Sequence, residues 1–340
     1  MNRNHIQQLF NEGIFPRGRE NALLIETHAN WIILAGEYAY KIKRPVKFSF
    51  LDYSTPSLRK HYCEEEVRLN RRLTDIYLGV EQVVDTGTEL GIGLEGKAID
   101  HAVVMRRLDP GRQMHTLLQK GLVTEKDVQK LAAKLANFHK YARVPHKGPS
   151  AESLLEDFAD LSSVSEVLAS QFGSDISENI ELWIDQAGKV LDSLSSRISE
   201  RHNAGFVIDG HGDLHSANIF LLEEPVVFDC VEFNEHFRIN DVLSEMAFLA
   251  MDMERYGYKS LSKFMMREYQ KIYPVILNEQ DELLFLYFLL YRANVRLKIG
   301  GLKAMDTLEK QRELPDYDRK QLELFIRLCG RYSSLIERCT

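Results

Sequence analysis

The sequence predicts an α+β fold of two unequal lobes, a small antiparallel sheet followed by a larger, mainly helical region. Three observations carry that prediction. Residues 22–108 are rich in strand-type runs broken by short turns. From residue 111 onward the apolar residues recur at helical spacing. One compact non-helical block, residues 206–233, interrupts the helices. The division is expected near 106–112, with residues 1–107 as the small lobe and 108–340 as the large one. Two lobes joined by one segment predict a cleft, a common place for a ligand.

The small lobe opens on β-type runs at Ala22 to Thr27 and Trp31 to Leu34, separated by the short turn His28-Ala29-Asn30. Ala35-Gly36-Glu37 turns the chain into Tyr38 to Ile42, completing a three-strand meander. On the last strand, Ala39, Lys41 and Lys43 share one face and Tyr38, Tyr40 and Ile42 the other. Ser54-Thr55-Pro56 is a helix start, because proline at the first helical position loses no hydrogen bond. Tyr62, Glu66, Leu69 and Leu73 then follow at helical spacing. Strand-like stretches at Gln82 to Thr86 and Ala98 to Leu108 complete the lobe.

In the large lobe, Thr124-Glu-Lys-Asp127 is a capping box that opens a helix with Val128, Leu131, Leu135 and Phe138 on one side. A long amphipathic stretch runs from about Glu178 to Arg201, and three more helical patterns follow Ser260. The short apolar runs of the interrupting block are Phe206 to Ile208, Ile219 to Leu222 and Val226 to Phe228.

Composition excludes several classes. The 340 residues carry 43 Lys plus Arg against 50 Asp plus Glu, a net charge of −7, which argues against a general nucleic-acid binder. With 44% hydrophobic and 27% charged residues the chain can bury a sizeable core, so disorder is excluded. The longest clearly apolar run, Leu283 to Tyr291, is far short of the ~20 residues of a helical span, so no membrane partner is expected. The start of the sequence shows no apolar signal region, and the four cysteines form no CxxC pair. Both fit a cytoplasmic protein with reduced thiols.

The chemistry is concentrated in Val207-Ile-Asp-Gly-His-Gly-Asp-Leu-His-Ser-Ala-Asn-Ile-Phe220 and Val226-Val-Phe-Asp229. Asp213 and Asn218 lie five apart in a loop, and Asp229 stands at a strand end 11 residues on. A turn can bring the three together. Carboxylate and amide oxygens are hard donors suited to Mg²⁺, and a remaining carboxylate can accept a proton from a hydroxyl. Metal, base and a distant lysine are the minimum set for moving a phosphoryl group from ATP.

The run HGDLHSAN with its following strand and FD resembles the signature of the aminoglycoside phosphotransferases, within the wider protein-kinase-like group that includes choline kinase. The resemblance implies a bilobal protein-kinase-like fold and transfer of the γ-phosphoryl group of ATP to a hydroxyl of a small molecule. It implies Asp213 as catalytic base and Asn218 and Asp229 as Mg²⁺ ligands. Lys41 would bind the α- and β-phosphates and pair with Glu66. Asp241 resembles an aspartate that braces the catalytic loop. The helix ending Leu135-Ala-Asn-Phe-His139 is similar to one of the same group. Met105-Arg-Arg-Leu108 would be the connector whose backbone holds adenine, which brings in Met105 and Arg107. The runs Ala39-Tyr-Lys-Ile-Lys-Arg-Pro45, Phe50-Leu-Asp-Tyr-Ser54 and Tyr291-Arg-Ala-Asn-Val-Arg296 look like those of bacterial relatives often fused to a P-loop ATPase. These 340 residues contain no GxxxxGK[ST], so that second activity is not expected of them.

Some assignments stay open at this point. Lys43 faces the same side as Lys41, and Glu64 and Glu65 compete with Glu66; Lys41 and Glu66 are favoured. His211 and His215 are spaced for zinc, but Gly212 stands where such sites carry a catalytic Glu, and loop orientation is the better reading. Gly91-Ile-Gly-Leu-Glu-Gly96 matches GxGxxG in the wrong context and reads as a hairpin turn. Glu232, Glu235, Glu245, Asp252 and Glu254 offer either an acidic pocket for a cationic acceptor or solvated surface charge. A nucleotide-binding regulatory module with little transfer activity is the alternative function.

Overall fold

The structure, a computed structural model, describes residues 1–48, 51–144, 148–311 and 313–339. Phe50, which opens the run to Ser54, lies outside them. The chain divides into two compact units, one of Met1–Leu117 with Ala217–Phe237 and one of Leu118–Ser216 with Arg238–Thr340. The first unit therefore takes in a stretch that a linear division would leave with the second.

The first unit begins with α1 (Arg3–Glu12), whose Asn2 cap accepts from the His5 N–H at 3.0 Å. This helix was not expected, because Ile6 and Leu9 are its only buried residues in a polar stretch. The meander follows as β1 (Leu23–Glu26), β2 (Asn30–Ala35) and β3 (Tyr38–Lys43). After the short pair β4 (Lys47–Phe48) and β5 (Leu51–Asp52) comes α2 (Pro56–Asn70), capped by Thr55 with Pro56 in its first turn. Then come β6 (Tyr77–Asp85), β7 (Leu90–Ile92) and β8 (Lys97–Arg106). The six longer strands form one antiparallel sheet in the order β1-β2-β3-β8-β6-β7. Strand alternation sorts the side chains of β3 as expected. Tyr40 and Ile42 join a core with Ile6, Leu9 and Trp31, while Ala39 joins Cys63 and Val67 of α2 on the opposite face.

The GxGxxG run is not a hairpin. Gly91 and Ile92 belong to β7, and the turn after them leads to β8, yet β6 lies between those two strands in the sheet. The glycines serve a tight crossover, with φ of +67° at Gly93. Buried Arg59 donates to Asp100 of β8 at 2.8–3.0 Å and so fastens α2 to the sheet.

The short α3 (Met114–Gln119) is followed by α4 (Glu125–Tyr141), where Thr124 and Asp127 form the expected reciprocal cap. Then come α5 (Ala151–Ala159), α6 (Ser165–Phe172), α7 (Asp175–Asn203) and β9 (Val207–Asp209). The hairpin β10 (Ile219–Phe220) and β11 (Val226–Val227) belongs to the first unit, because Phe220 and Val226 join the apolar cluster of Ala39, Val67 and Met105. The second unit resumes with β12 (Ile239–Asp241), paired with β9, and continues through α8 (Val242–Arg255), α9 (Lys259–Ile272), α10 (Glu279–Gln311) and α11 (Asp316–Glu337). Every residue of α8 from Val242 to Met253 is buried, which makes it the axial helix of its unit. Among the described residues no helix is long and apolar enough to cross a membrane.

Candidate active site

In the first unit the site is built around a buried carboxylate. Glu66 lies near buried Leu69 on α2, with buried Leu73 in the turn beyond the helix end, and is itself fully buried. Its neighbours are spent on the surface, Glu64 with Lys60 and Glu65 with Arg68. The Lys41 ammonium donates to Glu66 Oε1 at 2.8 Å and to Asp229 Oδ1 at 2.5 Å. Sequence separations of 25 and 188 residues thus collapse onto one nitrogen. Burial pulls the Lys41 ammonium down, but the Asp229 and Glu66 carboxylates override it and hold the group well above the usual lysine value. Burial likewise pushes Glu66 up, and the Lys41 and Lys43 ammoniums bring it down to about 2.

Asp229 has φ of +66°, a left-handed conformation uncommon for a non-glycine residue and concentrated at functional sites. Its backbone is held by side chains. The Asp229 N–H donates to the Tyr77 hydroxyl at 3.1 Å, and the Cys230 N–H donates to Asn70 Oδ1 at 3.0 Å. Asn70 Nδ2 in turn donates to the Glu66 carbonyl at 2.8 Å. Hairpin register brings the other expected metal ligand close. Ile219 pairs with Val227, and the Phe228 N–H donates to the Asn218 carbonyl at 3.1 Å. The Asn218 side chain is buried, whereas the Asp229 carboxylate remains 42% exposed.

The structure engages Lys43 as well as Lys41. Lys43 donates to Glu66 Oε2 at 2.8 Å, to Glu232, and to the Tyr53 hydroxyl at 3.3 Å. Strand alternation was the signal for it; Tyr77 and Asn70 had none, and Glu232 and Tyr53 carried signals that pointed to other roles.

Arg107 lies in the segment expected to hold adenine through its backbone. Its N–H is taken by the Glu37 carbonyl at 2.8 Å, and its guanidinium donates to the Asn21 and Gly36 carbonyls. The Arg106 N–H is likewise taken by Ile76. The chain turns around Glu37 to pair with the end of β8, which uses up these donors. Among the described residues, the first N–H past the strand with no protein partner is that of Leu108. Met105 is buried in one apolar cluster with Ala39, Phe220 and the partly buried Ile32, Leu34 and Leu108.

The second unit carries the loop with Asp213. Residues 210–216 are held from one face of α8. Glu245 accepts from the His211 N–H at 2.5 Å and the Gly212 N–H at 3.3 Å. Seven residues on, Asp252 accepts from the Ser216 N–H at 2.8 Å and from its hydroxyl. A Cβ at Gly210 would meet the Glu245 carboxylate and displace it, and Gly212 has φ of +85°. Asp241 was expected to brace this loop. It instead binds buried Arg201 through both oxygens, at 2.6 and 2.8 Å, and caps α8 through the Leu243 N–H. The brace is Glu245, one turn along the helix, where the loop backbone comes within reach. His139, at the end of α4, is fully buried with Nε2 3.6 Å from Glu245 and Nδ1 2.9 Å from the Tyr269 hydroxyl.

The Asp213 carboxylate is 39% exposed and lies 3.2 Å from His215 Nε2. Burial raises its pKa, but His215 and Arg296 outweigh that and hold it below the ordinary aspartate value. It is an ionised acceptor at neutral pH. Burial lowers His215, and the Asp213 and Asp252 carboxylates override this to raise it. Among the described residues no group of three or more His, Cys, Asp or Glu is placed to hold a metal, so the histidine pair has no third ligand for zinc. Most of the acidic residues considered for a cationic acceptor are neither pocket nor solvated. Glu232 is bound by Lys43, Glu245 and Asp252 hold the loop, and Glu254 is bound by Arg331 and Tyr332. Only Glu235 is exposed.

Acid should loosen this loop. Burial raises the Glu245 carboxyl, but His139 and His211 bring it down from 4.5 to about 2. A carboxyl held lower in the folded chain stabilises it above the unfolded value and loses that contribution as pH falls through the folded one. The denaturant midpoint is expected to drop between pH 4.5 and 2, less steeply in Glu245→Gln. An equal slope in both proteins would contradict the role given to Glu245.

No protein-family model matches the chain. It is 31% identical over 288 residues to uncharacterised proteins of Mycobacterium tuberculosis and Mycobacterium bovis, which covers 81% of this chain and 53% of theirs. The chain thus spans about half the length of the curated relatives it matches. Among solved structures it is similar to a choline kinase of Cryptosporidium parvum, with TM-score 0.58 and 12% identity over 94% of this chain and 90% of that one. A choline/ethanolamine kinase family protein of Mesorhizobium loti gives 0.55 at 12% identity, covering 98% of both chains. A spectinomycin phosphotransferase, solved with ADP and spectinomycin, gives 0.52 at 12% identity over 92% of both. At such identities the likeness is one of fold.

Proposed function

We propose, on the premise that this chain has the protein-kinase-like fold of the choline kinases and aminoglycoside phosphotransferases, that it is a Mg·ATP-dependent phosphotransferase acting on a hydroxyl of a small molecule. The observation that carries the reading is Lys41, held between Glu66 and the exposed carboxylate of Asp229. The donor set fits the cofactor. One carboxylate and one amide oxygen leave room for the waters and phosphate oxygens that Mg²⁺ prefers. Asn218 and Asp229 would hold the metal, which supplies charge neutralisation along the phosphate chain.

In this reading Lys41 orients the α- and β-phosphates, and Glu66 keeps the ammonium in place. The Leu108 N–H and the surrounding apolar side chains receive the base. Asp213 accepts the acceptor's hydroxyl proton as the hydroxyl oxygen bonds to the γ-phosphorus and the bond to the β-phosphate oxygen breaks, releasing ADP. Most of the acceleration comes from positioning and preset charge, because the transition state is loose. An unraised Asp213 suits a proton that leaves late.

Four of the five acidic residues named for a cationic acceptor are engaged elsewhere and give no argument for a polycation, so the acceptor class is read no further than a hydroxyl. The test is ADP release across sugars, amino alcohols, nucleosides and aminoglycosides, with Asp213→Asn as control. Turnover lost in the control supports the proposal. Mg·ATP binding without turnover on any acceptor would move the protein to the regulatory alternative.

A further inference from the structure

The Lys41–Glu66–Asp229 contacts do not account for a second set of buried charges beside them. Lys43 is fully buried and binds the Glu66 oxygen that Lys41 leaves open. Its ammonium also meets the Glu232 carboxylate, three residues beyond Asp229, where the Tyr53 hydroxyl donates as well. The ammonium lies 4.7 Å from the centre of the Tyr53 ring. Two ammoniums on one carboxylate are an arrangement that desolvation opposes, and it persists only where the geometry satisfies every charge. Here the charges alternate along one path, Asp229 to Lys41 to Glu66 to Lys43 to Glu232. That path leaves the 229–232 segment at one residue, crosses β3 and α2, and returns three residues later.

We infer that Lys43 is a positioning residue, which with Glu232 and Tyr53 pins the segment carrying Asp229 against α2 and so presets the metal-side carboxylate before nucleotide arrives. The inference rests on the kinase reading for its purpose, though not for its geometry. The ion pair at Asp229 and the backbone bonds to Tyr77 and Asn70 hold the start of the segment at residues 229 and 230. The second ion pair, at Glu232, fixes its other end, and so lowers the ordering cost that nucleotide binding would otherwise bear. Lys43 touches no phosphate in this scheme; it acts through Glu66 and Glu232.

The test reads the nucleotide-free protein first. The Asp229 and Cys230 N–H groups, held by Tyr77 and Asn70, should exchange with solvent ~10-fold faster in Lys43→Met. Amides of α8, buried in the other unit, serve as the reference for global opening. Glu232→Gln, which keeps the shape and drops the charge, should move the same two amides and carries the test if Lys43→Met does not fold. In the second arm Mg²⁺ should tighten ATP binding ~10-fold less in the variants than in the wild type, with metal-free ATP affinity within ~3-fold. A role confined to stability would lower the melting temperature but leave the exchange ratio and the metal dependence unchanged, which overturns the inference. If the wild type binds no Mg·ATP, the kinase reading falls, and the exchange arm still decides whether Lys43 pins the segment.

Discussion

Asp213→Ala is expected to reduce phosphoryl transfer by about 10³-fold while leaving Mg·ATP affinity within a factor of about 3. The asymmetry follows from where the residues lie. Lys41, Glu66, Asn218 and Asp229 belong to the first unit and Asp213 to the second. Asp213 is held by its own neighbours, with His215 on its carboxylate and its N–H donating to His211 Nδ1 at 3.2 Å. Truncating it removes the proton acceptor without disturbing the contacts of Lys41. The fold should survive, because the loop is anchored at Glu245 and Asp252 rather than at Asp213. Single-turnover kinetics with calorimetric nucleotide binding would check both halves. A variant with unimpaired transfer would remove Asp213 from the mechanism.

Asp229→Ala should show the opposite signature, with Mg·ATP binding about 10²-fold weaker and metal-free ATP affected far less. That is about 2.7 kcal/mol of binding lost with the metal contact. Asp229→Asn keeps an oxygen donor but loses the charge and should fall between. Lys41 loses one of two carboxylates in either variant, but Glu66 remains on it at 2.8 Å. The Asp229 side chain is also partly exposed, so the cost to stability should stay below the 3–5 kcal/mol of a fully buried broken pair. Titrating Mg²⁺ at fixed ATP would show it. Unchanged metal dependence in Asp229→Ala would sink the assignment of that carboxylate.

The structure also shows why some residues were invisible beforehand. Glu232 reads as one more acidic residue in a loop until the fold lays it against Lys43. Asp241 and Glu245 are four apart on one stretch, and only the position of the 210–212 backbone decides that Glu245 braces it while Asp241 turns to Arg201. The donors of Arg106 and Arg107 looked available in the chain and are spent because the strand edge and the Glu37 turn claim them.

What the chain determined by itself were its local patterns. Alternation put Lys41 and Lys43 on one face of a strand, helical spacing turned Glu66 inward beside Leu69 and Leu73, and the caps at Thr55 and Thr124 started their helices. These rest on contacts within a few residues, where backbone periodicity alone sets direction. The tertiary structure decided which charges meet. Pairing across 23 to 189 residues depends on how sheet and helix pack, and burial then makes each ion choose a partner instead of water.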